Sequence, residues 1–284
     1  ATNTVTATIT VGYSPKSLVL SPDGSRLYVA NYTSNTISVI NTASNAVINT
    51  ISLGVADGLF GICISPDGTK LYDAKQHVNS VSVISTTSNS VIATIPVGTN
   101  PQGIAISPDG SRVYVTNFAS DNASVINTAS NTVVTTVGTG AGPSWTVVTP
   151  DNSKVYVSNN SSGNVTVLNA AANTVSATIA TGGAPRGITV SSDGTRVYAN
   201  VATSVKVIST ASNAVTNTLL LPIGYNSFGL GNFVLNGSGC TGVPVSFSIT
   251  VNPKPQATIA ETGPVTICPS GSVVLHANTG TGLS

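Results

Sequence analysis

Short runs of alternating apolar and polar residues, separated by turn residues, cover most of the chain. In residues 99–140 four such runs are visible, near GIAIS, RVYVTN, ASVINT and TVVTTV. Alternation with a period of two and enrichment in β-branched residues predict four β-strands. A helical period of 3.6 is absent throughout, so the predicted fold class is all-β.

The same four-strand unit recurs along the chain. Versions of the phrase SPDGSRVYVTN place a turn aspartate at five positions separated by 44, 42, 42 and 42 residues: Asp23, Asp67, Asp109, Asp151 and Asp193. This period is typical of four-stranded propeller blades, whose sheets bury their faces on one another. The repeats therefore predict a β-propeller with five complete blades.

The recurring residues are interpreted as structural. In the Pro-Asp-Gly turn the proline presets φ, the aspartate can bond its own backbone and the glycine tolerates positive φ. The tyrosine five residues after each turn aspartate is expected to pack between neighbouring sheets, with its hydroxyl on a polar partner. A second recurring asparagine is suited to a left-handed turn between the third and fourth strands, at Asn45, Asn89, Asn131, Asn173 and Asn213.

The two ends of the chain predict one more blade. Residues 1–12, ATNTVTATITVG, match only a fourth strand, and a sixth repeat begins at Tyr225 but lacks the Pro-Asp-Gly turn. We expect a composite sixth blade formed by strands near residues 226–252 and closed by the N-terminal strand. The predicted domains are a propeller over residues 1–237 and a C-terminal β segment over 238–284.

Three copies of the second strand carry a recognisable motif: YVAN at 28–31, YVTN at 114–117 and YVSN at 156–159. The chain resembles the YVTN family of β-propeller repeats over residues 1–235. That resemblance implies a propeller of the kind found on surface-layer and secreted proteins, and similar repeats occur in lactonase-like and lyase-like propellers. The second and fifth copies depart from the motif, with YDAK at 72–75 and YANV at 198–201.

The C-terminal region resembles the seam between Ig-like or PKD-like modules of bacterial surface proteins. PVSFSITVNP is similar to a closing strand of such a module and CPSGSVVLHA to an opening one. The resemblance implies a short, incomplete Ig-like extension. Cys240 and Cys268 flank this region and are candidates for a disulfide in an oxidising compartment.

Composition narrows the function classes. Only 7% of residues are charged and the net charge is +1, which argues against nucleic-acid binding by a basic surface. The sequence has no apolar run long enough to span a bilayer, and its first residues do not have the pattern of a signal peptide. Abundant Thr, Ser, Asn, Val and Gly favour a secreted or cell-surface protein. Cys63, inside the apolar stretch GICIS, is expected to be a buried thiol.

Candidate chemistry is sparse. The two histidines, His77 and His276, have no suitably spaced partners, so neither a metal site, a catalytic triad nor a cofactor is predicted. One position, seven residues before each turn aspartate, changes character in every blade and is expected to line the mouth of the central channel. These channel-mouth positions, with the adjoining tryptophan, are the weak ligand-binding candidates: Lys16, Phe60, Gln102, Trp145, Arg186 and Phe228, together with Ser144 in the fourth copy. Such variation fits ligand specificity and also fits drift at a solvated rim.

Six asparagines stand in Asn-X-Ser/Thr triplets and are candidate glycosylation sites: Asn31, Asn122, Asn159, Asn160, Asn164 and Asn236. In a chain so rich in Ser, Thr and Asn such triplets also arise by chance.

Three classes of function are compatible with these features. The favoured one is a non-catalytic extracellular or cell-surface structural and adhesive propeller. The alternatives are a propeller that binds a glycan or an anion, and an enzyme of lactonase or lyase type. The expected partners are cell-surface components, glycans or other copies of the chain, because the N-terminal and C-terminal strands have edges that favour self-assembly into filaments.

Overall fold

A computed structural model describes Val5, residues 7–54 and 57–221, and the backbone of two short strands at 248–251 and 257–260. Twenty strands form five four-stranded antiparallel sheets arranged as propeller blades, and no helix occurs in the part described. In particular, these residues include no helix long and apolar enough to cross a membrane. The predicted all-β propeller with five complete blades is confirmed.

The strands of each blade follow one another from the inside to the outside of the ring. Blade 1 contains β1 (Pro15–Leu20), β2 (Arg26–Asn31), β3 (Thr36–Asn41) and β4 (Ala46–Ser52). Blade 2 contains β5 (Leu59–Ile64), β6 (Lys70–Lys75), β7 (Ser80–Ser85) and β8 (Ser90–Pro96). Blade 3 contains β9 (Pro101–Ile106), β10 (Arg112–Asn117), β11 (Asn122–Asn127) and β12 (Thr132–Gly138).

The last two blades repeat this order. Blade 4 contains β13 (Pro143–Val148), β14 (Lys154–Asn159), β15 (Asn164–Asn169) and β16 (Thr174–Ala180). Blade 5 contains β17 (Pro185–Val190), β18 (Arg196–Val201), β19 (Ser204–Ser209) and β20 (Ala214–Leu220). All twenty strands belong to one compact unit, Ile9–Phe233.

Turn chemistry explains why the strands end where they do. In blade 3, Asp109 accepts hydrogen bonds from the hydroxyl of Ser107 (2.6 Å) and the backbone N–H of Ser111 (2.9 Å), and Gly110 has a φ of 72°. The turns between third and fourth strands place their asparagines in the left-handed region, as predicted, with φ of 50° to 53° at Asn45, Asn89, Asn131, Asn173 and Asn213.

The core lies between blades. The second-strand tyrosines of blades 1 to 4 are all fully buried, and each packs with apolar residues of the next blade: Tyr28, Tyr72, Tyr114 and Tyr156. The expected polar partner is present for Tyr156, whose hydroxyl donates to Oδ1 of Asn213 at 2.8 Å. The hydroxyl of Tyr72, by contrast, is buried without a hydrogen-bond partner among the described residues.

Two further strands lie in the other compact unit of the chain. β21 (Ser248–Val251) pairs antiparallel with β22 (Ala257–Ala260). Residues 7–11 precede β1 and are in no strand. The rest of the N-terminal strand predicted for the sixth blade, and its other strands before residue 248, lie outside the described residues.

Candidate functional site

The two ends of each blade differ in chemistry. The Pro-Asp-Gly turns join first to second strands at one end, called here the turn face. The loops between blades and the turns from second to third strands lie at the opposite end, called the rim face, because adjacent strands are antiparallel. Five of the nine acidic residues of the chain stand in turns of the turn face.

The predicted channel-mouth residues lie at the start of the innermost strands, on the rim face. Lys16 and Arg186 are exposed, Phe60 and Gln102 are half-buried, and Ser144 is buried. Phe228 lies outside the described residues. Exposed cations and a half-buried aromatic and amide thus lie on one face of the described propeller.

Aromatic contacts connect these residues across blades. The ring of Phe60 in blade 2 lies 6.5 Å from that of Trp145 in blade 4, although the two blades are not neighbours. Phe60 also meets Tyr32 edge to face at 6.3 Å. The Nζ of Lys16 stands 5.5 Å from the centre of the Tyr32 ring, a cation–π arrangement. A continuous path therefore runs from Lys16 to Trp145.

Hydrogen bonds extend this path to blade 3. The hydroxyl of Tyr32 donates to Oε1 of Gln76 at 2.7 Å and lies 2.8 Å from Nε2 of His77. Gln76 donates to Oδ1 of Asn100 at 2.7 Å, and Gln102 donates to the same oxygen at 3.3 Å. The side chains of blades 1, 2 and 3 consequently hold one another in place.

On the far side of Trp145 the path continues to blade 5. The hydroxyl of Ser144 donates to the backbone oxygen of Arg186 at 2.9 Å, and Ser158 donates to the same oxygen at 2.9 Å. These bonds fix the backbone of Arg186 while its side chain is exposed. All five blades contribute to one polar and aromatic rim, defined here by Lys16, Tyr32, Phe60, Gln76, His77, Asn100, Gln102, Trp145 and Arg186.

Blade 2 carries a buried charged cluster beside the rim. The Nζ of Lys75 donates to Oδ2 of Asp57 at 2.8 Å and to the backbone oxygen of Leu53 at 3.0 Å. Asp73, on the same strand as Lys75, is fully buried. Burial raises the pKa of Asp73 well above its ordinary value, Lys75 lowers it and Asp57 raises it further.

The structure also locates several other sequence candidates. Cys63 is buried and free, as expected, and burial raises the pKa of its thiol. Asn31 and Asn159 are fully buried with their amides bonded inside the blade, so in the folded protein they are inaccessible to a glycosyltransferase. Asn236, Cys240, Cys268 and His276 lie outside the described residues.

Sequence reasoning missed Tyr32, Gln76 and Asn100 as members of the rim. A signal for the first two existed, because the residue after the second-strand motif varies between copies as strongly as the channel-mouth position: Tyr32, Gln76, Phe118, Asn160 and Ala202. Within the described residues, no group of three or more His, Cys, Asp or Glu side chains could hold a metal ion.

Comparisons with known proteins support the architecture. The family described as "Lactonase, 7-bladed beta-propeller" matches residues 54–138, which span blades 2 and 3. A search of curated proteins found no match. The match to the lactonase family covers less than half of the chain and concerns its propeller repeats.

Solved structures share the fold at low identity. Hydrazine synthase from Kuenenia stuttgartiensis is 23% identical with a TM-score of 0.69, over 85% of this chain and 73% of that one. Virginiamycin B lyase from Staphylococcus aureus is 16% identical with a TM-score of 0.65, over 74% of this chain and 71% of that one. A functionally unknown protein from Desulfotomaculum acetoxidans DSM 771 is 21% identical with a TM-score of 0.62, over 72% and 71%. These likenesses concern the β-propeller fold.

Proposed function

We propose that the propeller is a non-catalytic binding module of a secreted or cell-surface protein, and that its rim recognises an anionic carbohydrate. The observation that carries the proposal is the contact of the half-buried Phe60 with the buried Trp145, which ties the rim residues of non-neighbouring blades to one shared core. Without that contact, the variable residues of blades 1 and 2 would not be connected to those of blades 4 and 5.

The chemistry of the rim fits such a ligand. The exposed Lys16 and Arg186 supply positive charge for carboxylate or sulfate groups. Gln76, Gln102 and His77 offer donors and acceptors for hydroxyl groups, and half-buried rings offer apolar contact. The near-neutral overall charge means that attraction of an anion depends on these local residues and not on a general basic surface.

The proposed location, secreted or on the cell surface, is supported by the resemblance to surface-layer propellers and by the composition rich in Ser, Thr and Asn. Adhesion would follow from binding a surface polysaccharide. End-to-end self-assembly, expected from the strands at the chain ends, stays a prediction, because most of those segments lie outside the described residues.

The test is titration of carboxylated, sulfated and neutral polysaccharides into the purified full chain, followed by calorimetry. We expect binding of the acidic polymers only, weakened by salt. Lys16→Ala and Arg186→Ala should each weaken it about tenfold, as for the loss of a charge-assisted hydrogen bond of about 1.5 kcal/mol. The matched control is Arg112→Ala on the turn face, which should leave affinity unchanged. Equal binding by all three variants would contradict the proposal.

A lactonase-like activity is the second candidate, favoured by the family match over residues 54–138. That segment contains the Asp57–Lys75 pair and His77, which together provide a charged and a titratable group beside the rim. Hydrolysis of simple lactones, followed by proton release, tests this alternative. Turnover that disappears in Lys16→Ala or Arg186→Ala, together with failure to bind acidic polymers, would replace the binding proposal with the enzymatic one.

A further inference from the structure

The buried cluster of blade 2 brings an amine into contact with a carboxylate. Nζ of Lys75 and Oδ2 of Asp57 are 2.8 Å apart, and the two side chains are only 9% and 12% exposed. Besides this pair, the amine contacts the backbone oxygen of Leu53. This hydrogen bond places the amine beside the carboxyl group whose carbon a condensation would use, in a site largely shielded from water.

A third group, Asp73, completes the arrangement. It stands two residues before Lys75 on β6, so the two side chains share a face of the sheet. Both carboxyl oxygens of Asp73 are buried without a hydrogen-bond partner among the described residues, as is the hydroxyl of Ser82 on the facing strand. A buried carboxyl with no donor to stabilise its charge retains its proton, which agrees with its raised pKa.

We propose that Lys75 and Asp57 condense to form an intramolecular isopeptide bond, and that Asp73 carries the protons for this reaction.

The reaction balances without any co-reactant. One proton moves from Nζ of Lys75 to the Asp57 carboxylate, leaving a neutral amine and a neutral acid. The nitrogen lone pair attacks Cγ of Asp57, and the C–N bond forms as the carbonyl electron pair moves to oxygen. For this step the Asp73 carboxyl must rotate into contact, because neither of its oxygens has a hydrogen-bond partner among the described residues. It then donates its proton to the departing hydroxyl and recovers one from the nitrogen. The C–O bond breaks, the carbonyl re-forms and one water molecule is released.

Blade 2 is the only described blade that could react in this way. The position of Lys75 holds asparagine in blades 1, 3 and 4 and valine in blade 5, and the position of Asp73 holds valine or alanine. Neither amide nor alkyl side chains supply an amine nucleophile or a proton carrier. A buried ion pair is also costly because both ions lose their hydration, and condensation removes both charges.

Mass spectrometry of the purified full chain tests the proposal directly. We expect an intact mass lower by one water molecule, with a tryptic digest that contains a branched peptide joining the segments of Asp57 and Lys75. Trypsin should not cleave after Lys75. An unmodified intact mass would overturn the proposal even if no variant could be purified.

One other dehydration must be told apart from the bond. Asp57 precedes Gly58, and an Asp-Gly pair can lose water by cyclising onto its own backbone. That product stays in a linear peptide and leaves Lys75 cleavable by trypsin. Loss of water confined to such a linear peptide would overturn the proposal.

Three variants locate the chemistry. Lys75→Arg removes the nucleophilic amine and should abolish the branched peptide. Asp73→Asn keeps the shape of the proton carrier and should also abolish it, whereas a bond that still forms would overturn the role of Asp73. The control is Asp67→Asn in the exposed turn of the same blade, which should still form the branched peptide.

Discussion

Blades 2 and 3 have the same strand lengths and the same Pro-Asp-Gly turns, yet they bury opposite kinds of residue on their second strands. In blade 3, Val115 is buried among apolar residues and Asn117 donates to Asn122 (2.7 Å) and Ser124 (2.9 Å) within its own sheet. In blade 2 the equivalent residues are Asp73 and Lys75, and the lysine reaches into the preceding loop for its partners. The repeating frame therefore depends on its turns and on its tyrosine face, while the face turned to the preceding blade tolerates charge where a loop compensates it.

The largest difference in stability between the two blades is expected when Lys75 is removed. Lys75→Ala removes the partner of Asp57, in the ion pair and in the proposed bond alike, and leaves the Asp57 carboxylate buried alone. We expect a loss of about 3–5 kcal/mol in the free energy of unfolding. The matched change in blade 3, Asn117→Ala, removes two neutral hydrogen bonds and should cost about 1–3 kcal/mol. Urea denaturation of both variants measures the difference. Equal losses of stability in the two variants would show that the buried charge of blade 2 contributes no more than the neutral hydrogen bonds of blade 3.

The second effect concerns Asp73 and depends on pH. In a Lys75→Gln background, where the isopeptide bond cannot form, adding Asp73→Val should raise the free energy of unfolding by about 1–3 kcal/mol at neutral pH. The folded-state pKa of Asp73 is raised above its ordinary value of 3.8, so the native state binds more protons than the unfolded state between the two values. Stability of the parent consequently falls as pH rises through that window.

Denaturation of the parent and the Asp73→Val variant at about pH 4 and about pH 8 separates them, because only the parent has this proton linkage. The advantage of valine should be larger at the higher pH. An advantage that is constant with pH would mean that the carboxyl is not protonated in the folded protein.

The third prediction concerns a feature that the two blades share. Gly68 and Gly110 have φ of 73° and 72°, and a Cβ added at either would lie 3.3 Å from Cδ of a proline in the preceding blade. Gly68→Val and Gly110→Val should each cost about 1–3 kcal/mol. Gly138→Val, at the end of β12, is the control: an added Cβ there meets nothing within 4 Å. Thermal melts that failed to distinguish the turn variants from this control would argue against the strained turn.

The smallest effect should come from the turn aspartates. A side-chain hydrogen bond from Ser65 to Asp67, and from Ser107 to Asp109, lowers the pKa of each carboxyl below 3.8, with help from backbone N–H groups. Their stabilisation is present above the ordinary pKa and disappears as pH falls through the lowered one. Asp67→Asn and Asp109→Asn should therefore give small, equal drops in melting temperature at neutral pH that vanish in acid. Unequal drops in melting temperature would show that the charged cluster of blade 2 influences the Asp67 turn of the same blade.

The blades could be predicted from sequence because their causes are local. A period of two, a glycine at positive φ and an asparagine in a left-handed turn act within a few residues, and each recurs often enough to be recognised. Comparing copies also found Phe60 and Trp145 individually. Their contact could not be predicted, since it depends on how far the ring curves between blades 2 and 4.

The charged cluster of blade 2 could not be predicted from the sequence either. YDAK was visible as a departure from the motif, but the partner of Lys75 lies in a loop 18 residues earlier, outside the repeated pattern. No period relates Asp57 to Lys75. Only packing of the loop against β6 brings the two together and buries Asp73 beside them.

Each of the five described blades has its register shift at the same place between third and fourth strands, at Val39/Ile40, Val83/Ile84, Val125/Ile126, Val167/Leu168 and Val207/Ile208. The described blades also share their strand lengths, so their backbones have the same frame. Duplication or deletion of one repeat in the gene would create a junction with the same shape as those already present. Lineages carrying such a gene can thus exchange whole blades together with their variable rim residues, provided that the charged strand of blade 2 moves with its own preceding loop.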